Sequence, residues 1–191
     1  SLIKSTEFLV ENNEFTGIKA TAISVSNESV GTIINNTIYD VGGNGILCTT
    51  SSNVTIRNNK LKNLIFPGIS IASNSIGQLE GNEINGVQYS GIAIRRANEV
   101  TIENSMINEI GESGISVSDT KSCIVKNNNI MNCKITAVES YNKSIVVASD
   151  NIITNMGKYA FLAYTSGKFD AMNNTIKNVQ NCMTKLAHKG G

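Results

Sequence analysis

The chain has 191 residues, 40% of them hydrophobic and 16% charged, and its formal net charge is +1. That length supports one core rather than two, and the charge gives no electrostatic footing for nucleic acid or an anionic membrane surface. No apolar run approaches the roughly 20 residues of a membrane span, and no signal peptide is recognisable.

Taken in chain order, pairs of Asn recur: Asn12-Asn13, Asn35-Asn36, Asn58-Asn59, Asn127-Asn128 and Asn173-Asn174. Counting the second member as position zero, zero falls every 23 residues, on Asn13, Asn36, Asn59, Asn82, Ser105, Asn128, Asn151 and Asn174. Three places before zero lies an aliphatic residue, from Val10 and Ile33 through Ile102 to Ala171. Two places after it come Phe15, Ile38, Leu61, Ile84, Ile107, Ile130, Ile153 and Ile176. Nine places on stands a small residue (Ala22, Gly45, Gly68, Gly91, Gly114, Ala137, Ala160), followed at ten by Ile or another large apolar side chain. Apolar and polar residues alternate around these columns, as in Val54-Thr55-Ile56 and Gly68-Ile69-Ser70-Ile71. That is the period of a strand with one buried face, and no stretch has helical spacing. The reading is three short strands per unit: one before the Asn pair, one after it and one opening at the small residue. Such units repeat by coiling, each strand pairing with its equivalent one turn later. An all-β solenoid of eight coils over residues 1–191, with clear repeats from about 8 to 186, is therefore expected as a single domain.

The Asn column has a physical reason. Asn tolerates the left-handed backbone of a sharp bend, and stacked amides can hydrogen-bond to one another and to the bend. Asn13, Asn36, Asn59, Asn82, Asn128, Asn151 and Asn174 are thus read as a structural ladder, with Asp150 replacing an Asn of that ladder. Two residues before zero, Arg57 falls beside Glu80 and Glu103 beside Lys126, as charge pairs on neighbouring strands. The four cysteines, Cys48, Cys123, Cys133 and Cys182, fit no zinc or redox spacing and no disulfide framework, and are read as buried free thiols.

The run Val54-Thr55-Ile56-Arg57-Asn58-Asn59-Lys60-Leu61, followed by Gly68-Ile69-Ser70-Ile71, resembles the right-handed parallel β-helix repeat of the pectate-lyase-like superfamily, of the carbohydrate-binding and sugar-hydrolase type. The resemblance covers nearly the whole chain and implies the fold, because the matching residues are all scaffold. It also implies where to look. In the polysaccharide enzymes of that superfamily, catalysis sits on the outer face of the first sheet, which here is the strand opening at the small residue. The outward residues of that strand lie eleven and thirteen places after zero, and the turn residue lies fourteen after.

On that face the sequence offers Arg95, Arg96, Asp119, Tyr141 and Tyr164 as binding residues. Tyr rings stack on sugars or partners, and Arg binds carboxylates with two parallel hydrogen bonds. The catalytic candidates are Glu139 and Tyr141, and they are thin, because a hydrolase needs paired carboxylates and a lyase clustered ones. The four Asp, Asp40, Asp119, Asp150 and Asp170, lie in different columns, and the only His, His188, sits in the tail. No metal or cofactor is expected, calcium entering only if the chain is a lyase.

Coils of constant length also leave no insertions to wall a cleft. The expected function is accordingly a non-catalytic recognition scaffold for a glycan or protein on the first-sheet face. The alternative is a lyase, hydrolase or epimerase, or part of one, acting on an acidic polysaccharide. Neither end offers a capping helix, so flanking domains or other subunits are expected there. The Asn-x-Thr sequons at Asn35 and Asn173 place the acceptor in the ladder, which disfavours glycosylation and leaves the compartment open.

Overall fold

The computed structural model describes residues 1–164 and 167–180, together with the backbone of the strand Thr184–Ala187. Within it the chain winds into three parallel sheets and forms no helix. The first sheet has nine strands, among them Ile69–Ala72, Ile92–Arg95, Ile115–Ser118, Thr136–Tyr141 and Tyr159–Tyr164. The second and third sheets have eight strands each, built from the segments before and after the Asn pairs. Register follows the sequence period: Ile69 pairs with Ile46 on one side and Ile92 on the other, and Ile92 with Ile115. Inward columns are dry. Ile46, Ile69, Ile92 and Ile115 are all 0% exposed, each contributing on the order of 2 kcal/mol by burial.

The two members of each Asn pair divide the work at the bend. The first is left-handed, with φ between 51° and 63° at Asn12, Asn35, Asn58, Gly81, Asn104, Asn127, Asp150 and Asn173, and is exposed in all but Gly81. The second carries the ladder. The backbone N–H of Asn36 donates to Oδ1 of Asn59 at 2.9 Å, and that of Asn59 to Oδ1 of Asn82 at 3.0 Å. The Asn59 amide nitrogen meanwhile donates to Ile33 O, Arg57 O and Asn82 Oδ1. Asp150 therefore belongs to the left-handed column and is not a rung of the ladder, which passes through Asn151. The same division corrects the argument about modification: Asn35 and Asn173 are the exposed first members, so burial does not protect them.

A second, hydroxyl ladder runs along the turn that follows the first sheet. Ser29, Ser52, Ser75, Thr120 and Ser144 are fully buried there. Ser52 N–H donates to Ser75 Oγ at 3.2 Å and Thr120 N–H to Ser144 Oγ at 3.2 Å. Each of Ser29, Ser52 and Ser144 also caps a carbonyl three residues back.

Among the described residues, the Arg57–Glu80 pair forms an ion pair at 3.1 Å, whereas Glu103 and Lys126 are aligned in register without one. Cys48, Cys123 and Cys133 are buried free thiols, and Cys182 lies outside the described residues.

Candidate functional site

The outer face of the first sheet presents one side chain per coil thirteen places after zero. Going along the stack these are Ala72, Arg95, Ser118, Tyr141 and Tyr164, each in register with the next where pairing is resolved. Alternation in the strand sends them outward, and the hydroxyl ladder just beyond fixes where each strand ends. The carbonyl of Tyr141 accepts from Ser144 Oγ at 2.8 Å, and that of Ser118 from Thr120 Oγ1 at 3.0 Å. The next residue is left-handed in each coil, at φ 52° for Arg96, 51° for Asp119 and 56° for Asn142.

Tyr141 and Tyr164 stack face to face, with centroids 4.9 Å apart and planes 6° from parallel. The far face of Tyr141 looks toward Ser118, whose side chain is too short to fill the level between Tyr141 and Arg95. The result is a notch one coil wide. Arg95 lies on one side and the Tyr141 ring on the other, two strand spacings or roughly 10 Å apart. Arg95 and Arg96 are both exposed.

The acids around the notch are held in distinct ways. Asp119 Oδ2 accepts from Asn142 Nδ2 at 2.8 Å and from Ser118 Oγ at 2.9 Å. These two bonds, helped by the charge of Arg96, hold its carboxyl below the ordinary 3.8. Glu139 points outward from its strand yet is only 7% exposed. Its carboxylate lies within hydrogen-bonding reach of the Tyr141 phenol. Burial of the ring first, and Glu139 second, push the Tyr141 hydroxyl well above its ordinary value of 10. A phenol so shifted is a hydrogen-bond donor at neutral pH.

The structure thus brings Arg95, Arg96, Asp119, Glu139, Tyr141 and Tyr164 onto one face, while His188 lies outside the described residues. Among the described residues no three His, Cys, Asp or Glu side chains converge on a common point. Sequence reasoning passed over Glu112, which sits seven places after zero on the turn leading into the strand Ile115–Ser118. Its charge also acts on Tyr141. It passed over the notch as well, although Ser118 between Arg95 and Tyr141 in one column was its signal.

No curated protein matches the sequence. Among solved structures, the chain is similar to the A-module of Azotobacter vinelandii mannuronan C-5 epimerase AlgE6, with TM-score 0.88 and 18% identity over 98% of this chain and 56% of that one. It is similar to the AlgE4 A-module of the same organism, with TM-score 0.90 and 14% identity over 97% of this chain and 57% of that one. A periplasmic alginate epimerase, AlgG, aligns with TM-score 0.83 and 15% identity over 91% of this chain and 46% of that one. The chain therefore spans about half the length of these structures, and at such identities the likeness is one of fold. The family model described as a right handed beta helix region matches residues 1–74 and 21–181, and the chain belongs to that family.

Proposed function

We propose that this β-helix is a non-catalytic binding module for an acidic polysaccharide, which crosses the first-sheet face with one sugar ring in the notch above Ser118. The observation that carries this reading is the column Arg95, Ser118, Tyr141, Tyr164: a cation, a short hydroxyl side chain and an aromatic stack in consecutive coils. A sugar ring on the free face of Tyr141 would fill the level above Ser118 and direct a carboxylate to Arg95. Asp119, kept ionised at the rim, would accept from sugar hydroxyls. The mannuronan epimerases named above act on a polyuronate, which makes mannuronan the first polymer to try.

One observation favours a second reading. Glu139 is a buried carboxylate against a protonated phenol, and such a pair could exchange a proton with C-5 of a uronate. This would make the chain a lyase or epimerase, or a part of one, with calcium as a possible requirement of the lyase.

The test is a panel of mannuronan, pectate and chondroitin, with and without calcium. Three quantities are followed: retention of the protein, ultraviolet absorbance of unsaturated products and deuterium uptake from solvent at C-5. The binding reading expects retention without turnover, weakened at least tenfold in Arg95→Ala and in Tyr141→Ala. Turnover abolished by Glu139→Gln would reject it in favour of the enzyme.

A further inference from the structure

Away from the first sheet, the third sheet is interrupted in every coil at the same place. Four residues after zero the ladder of pairing skips one position: Asn85 pairs with Asn108 and Val87 with Ile110, leaving Gly86 and Glu109 unpaired. The skipped residue is left-handed in all eight coils, as Gly17, Asp40, Asn63, Gly86, Glu109, Asn132, Asn155 and Asn178, with φ between 54° and 67°. One residue is skipped on each strand, so this is a left-handed kink repeated down the whole stack. The kink turns the following residues away from the sheet and leaves a re-entrant corner behind it.

Three surface grooves, of 310, 360 and 560 Å³, lie in that corner, and all three are lined by the residues four, five and six places after zero. They occupy the first three coils, the fourth to sixth and the sixth to eighth, so together they follow the solenoid axis for its length. One wall carries amides in two stretches, Asn63 in the third coil and Asn132, Asn155 and Asn178 in the last three, with Gly86 and Glu109 between them. Asn178 Nδ2 donates to Asn155 Oδ1 at 3.0 Å, Asn155 Nδ2 to Asn132 Oδ1 at 2.9 Å, and Asn63 Nδ2 to Asp40 Oδ1 at 3.2 Å. Asn63, Asn155 and Asn178 each use one N–H along the column and have a second beside the corner, whereas Asn132 Nδ2 donates sideways to Asn108 Oδ1 at 2.8 Å. In the last three coils these groups repeat at the strand spacing of roughly 4.8 Å. Midway along, where Ile65 and Gln88 line the corner, the next residues Phe66 and Tyr89 stack with centroids 5.3 Å apart while remaining 46% and 44% exposed.

We infer that this corner is a second binding path, for a neutral, hydroxyl-rich polysaccharide strand lying along the solenoid axis. A run of amide donors and acceptors at the strand spacing suits the hydroxyls of successive sugars, and exposed aromatic faces suit the apolar faces of sugar rings. Charge decides against a polyanion: the corner carries Lys19 and Lys134 against Asp40 and Glu109, two of each sign. This path is independent of the notch on the first sheet and does not rest on it.

The test is affinity electrophoresis of the whole chain through gels containing hydroxyethylcellulose, xylan or mannan. Compared with it are Asn132→Gly with Asn155→Gly, and Arg95→Ala with Tyr141→Ala. Gly already stands in the column at Gly17 and Gly86, so the first pair keeps the left-handed backbone and removes only the amides. Asn155→Asp, which repeats the chemistry of Asp40, supplies a second version should the Gly pair melt early. The expected result is retardation in at least one neutral gel, reduced at least fivefold by the amide variants and unchanged by the notch variants. Unretarded migration in all three gels would overturn the inference. So would retardation that survives the amide variants, or that is lost only in the notch variants.

Discussion

The backbone N–H of Asn82 donates to Oγ of Ser105 at 3.2 Å, where its equivalents at Asn36, Asn59 and Asn128 donate to an amide oxygen at 2.9 to 3.0 Å. Ser105 receives the backbone bond but offers no amide to continue the side-chain chain, so the Nδ2-to-Oδ1 relay stops for one coil. Asn at this position would resume it toward Asn128 Oδ1 and the Leu79 carbonyl. Ser105→Asn is expected to add about 1 kcal/mol, or roughly 2–4 °C in Tm for a chain of this size. Calorimetry checks it, and an unchanged or lower Tm would show that the Ser coil lacks room for the amide.

The two residues of an Asn pair should respond in opposite ways. Asn59→Ala removes three donations by its amide nitrogen and the two that its oxygen accepts from Asn36. All are buried or partly so, and a loss of about 3 kcal/mol is expected. Asn58→Gly, one residue earlier at φ 53°, should cost almost nothing, since Gly81 already occupies that column. Urea denaturation of the two variants reads the contrast, and equal losses would contradict the division of labour.

Burial raises the thiols of Cys123 and Cys133 to about 12, and that of Cys48 further in the same direction. Reactive thiolate is then scarce at neutral pH. Iodoacetamide at pH 8, followed by peptide mapping, should leave Cys48, Cys123 and Cys133 unmodified in the folded chain and label all three in denaturant. Rapid labelling of any of them in the native state would contradict the inward placement of its column.

Asp119 should titrate below 3.8, because Asn142 and Ser118 hydrogen-bond its ionised form. A depressed folded value means that these bonds stabilise the turn above the ordinary carboxyl range and are lost as pH falls through the folded value. Carboxyl carbon shifts in an NMR titration give the midpoint directly. Asn142→Ala should move it upward, and a native midpoint at or above 3.8 would remove Asp119 from the rim as described.

Most of the fold was legible because its determinants repeat as residue types. Ile at ten places after zero and Asn at zero give period, strand number and inward face together. The hydroxyl ladder was missed because it slips by one place, Ser75 and Ser144 falling at sixteen after zero and Thr120 at fifteen. The kink column was missed for another reason. Gly86, Glu109 and Asn132 share a backbone conformation and no side-chain chemistry, so their alignment exists only in φ. On the candidate site, the stacking of Tyr141 on Tyr164 followed from spacing alone. The burial of Glu139 did not, because an outward strand position is normally a wet one.

The central claim is that a sugar occupies the level above Ser118. Isothermal titration of mannuronate oligosaccharides into the native chain, Ser118→Trp and Ser26→Trp tests it most directly. Ser118→Trp fills the notch from its floor while leaving Arg95 and Tyr141 unsubstituted, and Ser26→Trp adds the same bulk to the same column far down the stack. Binding is expected in the native chain and in Ser26→Trp, and a loss of at least tenfold in Ser118→Trp. Undiminished binding with the notch filled, or none in the native chain, would contradict the account.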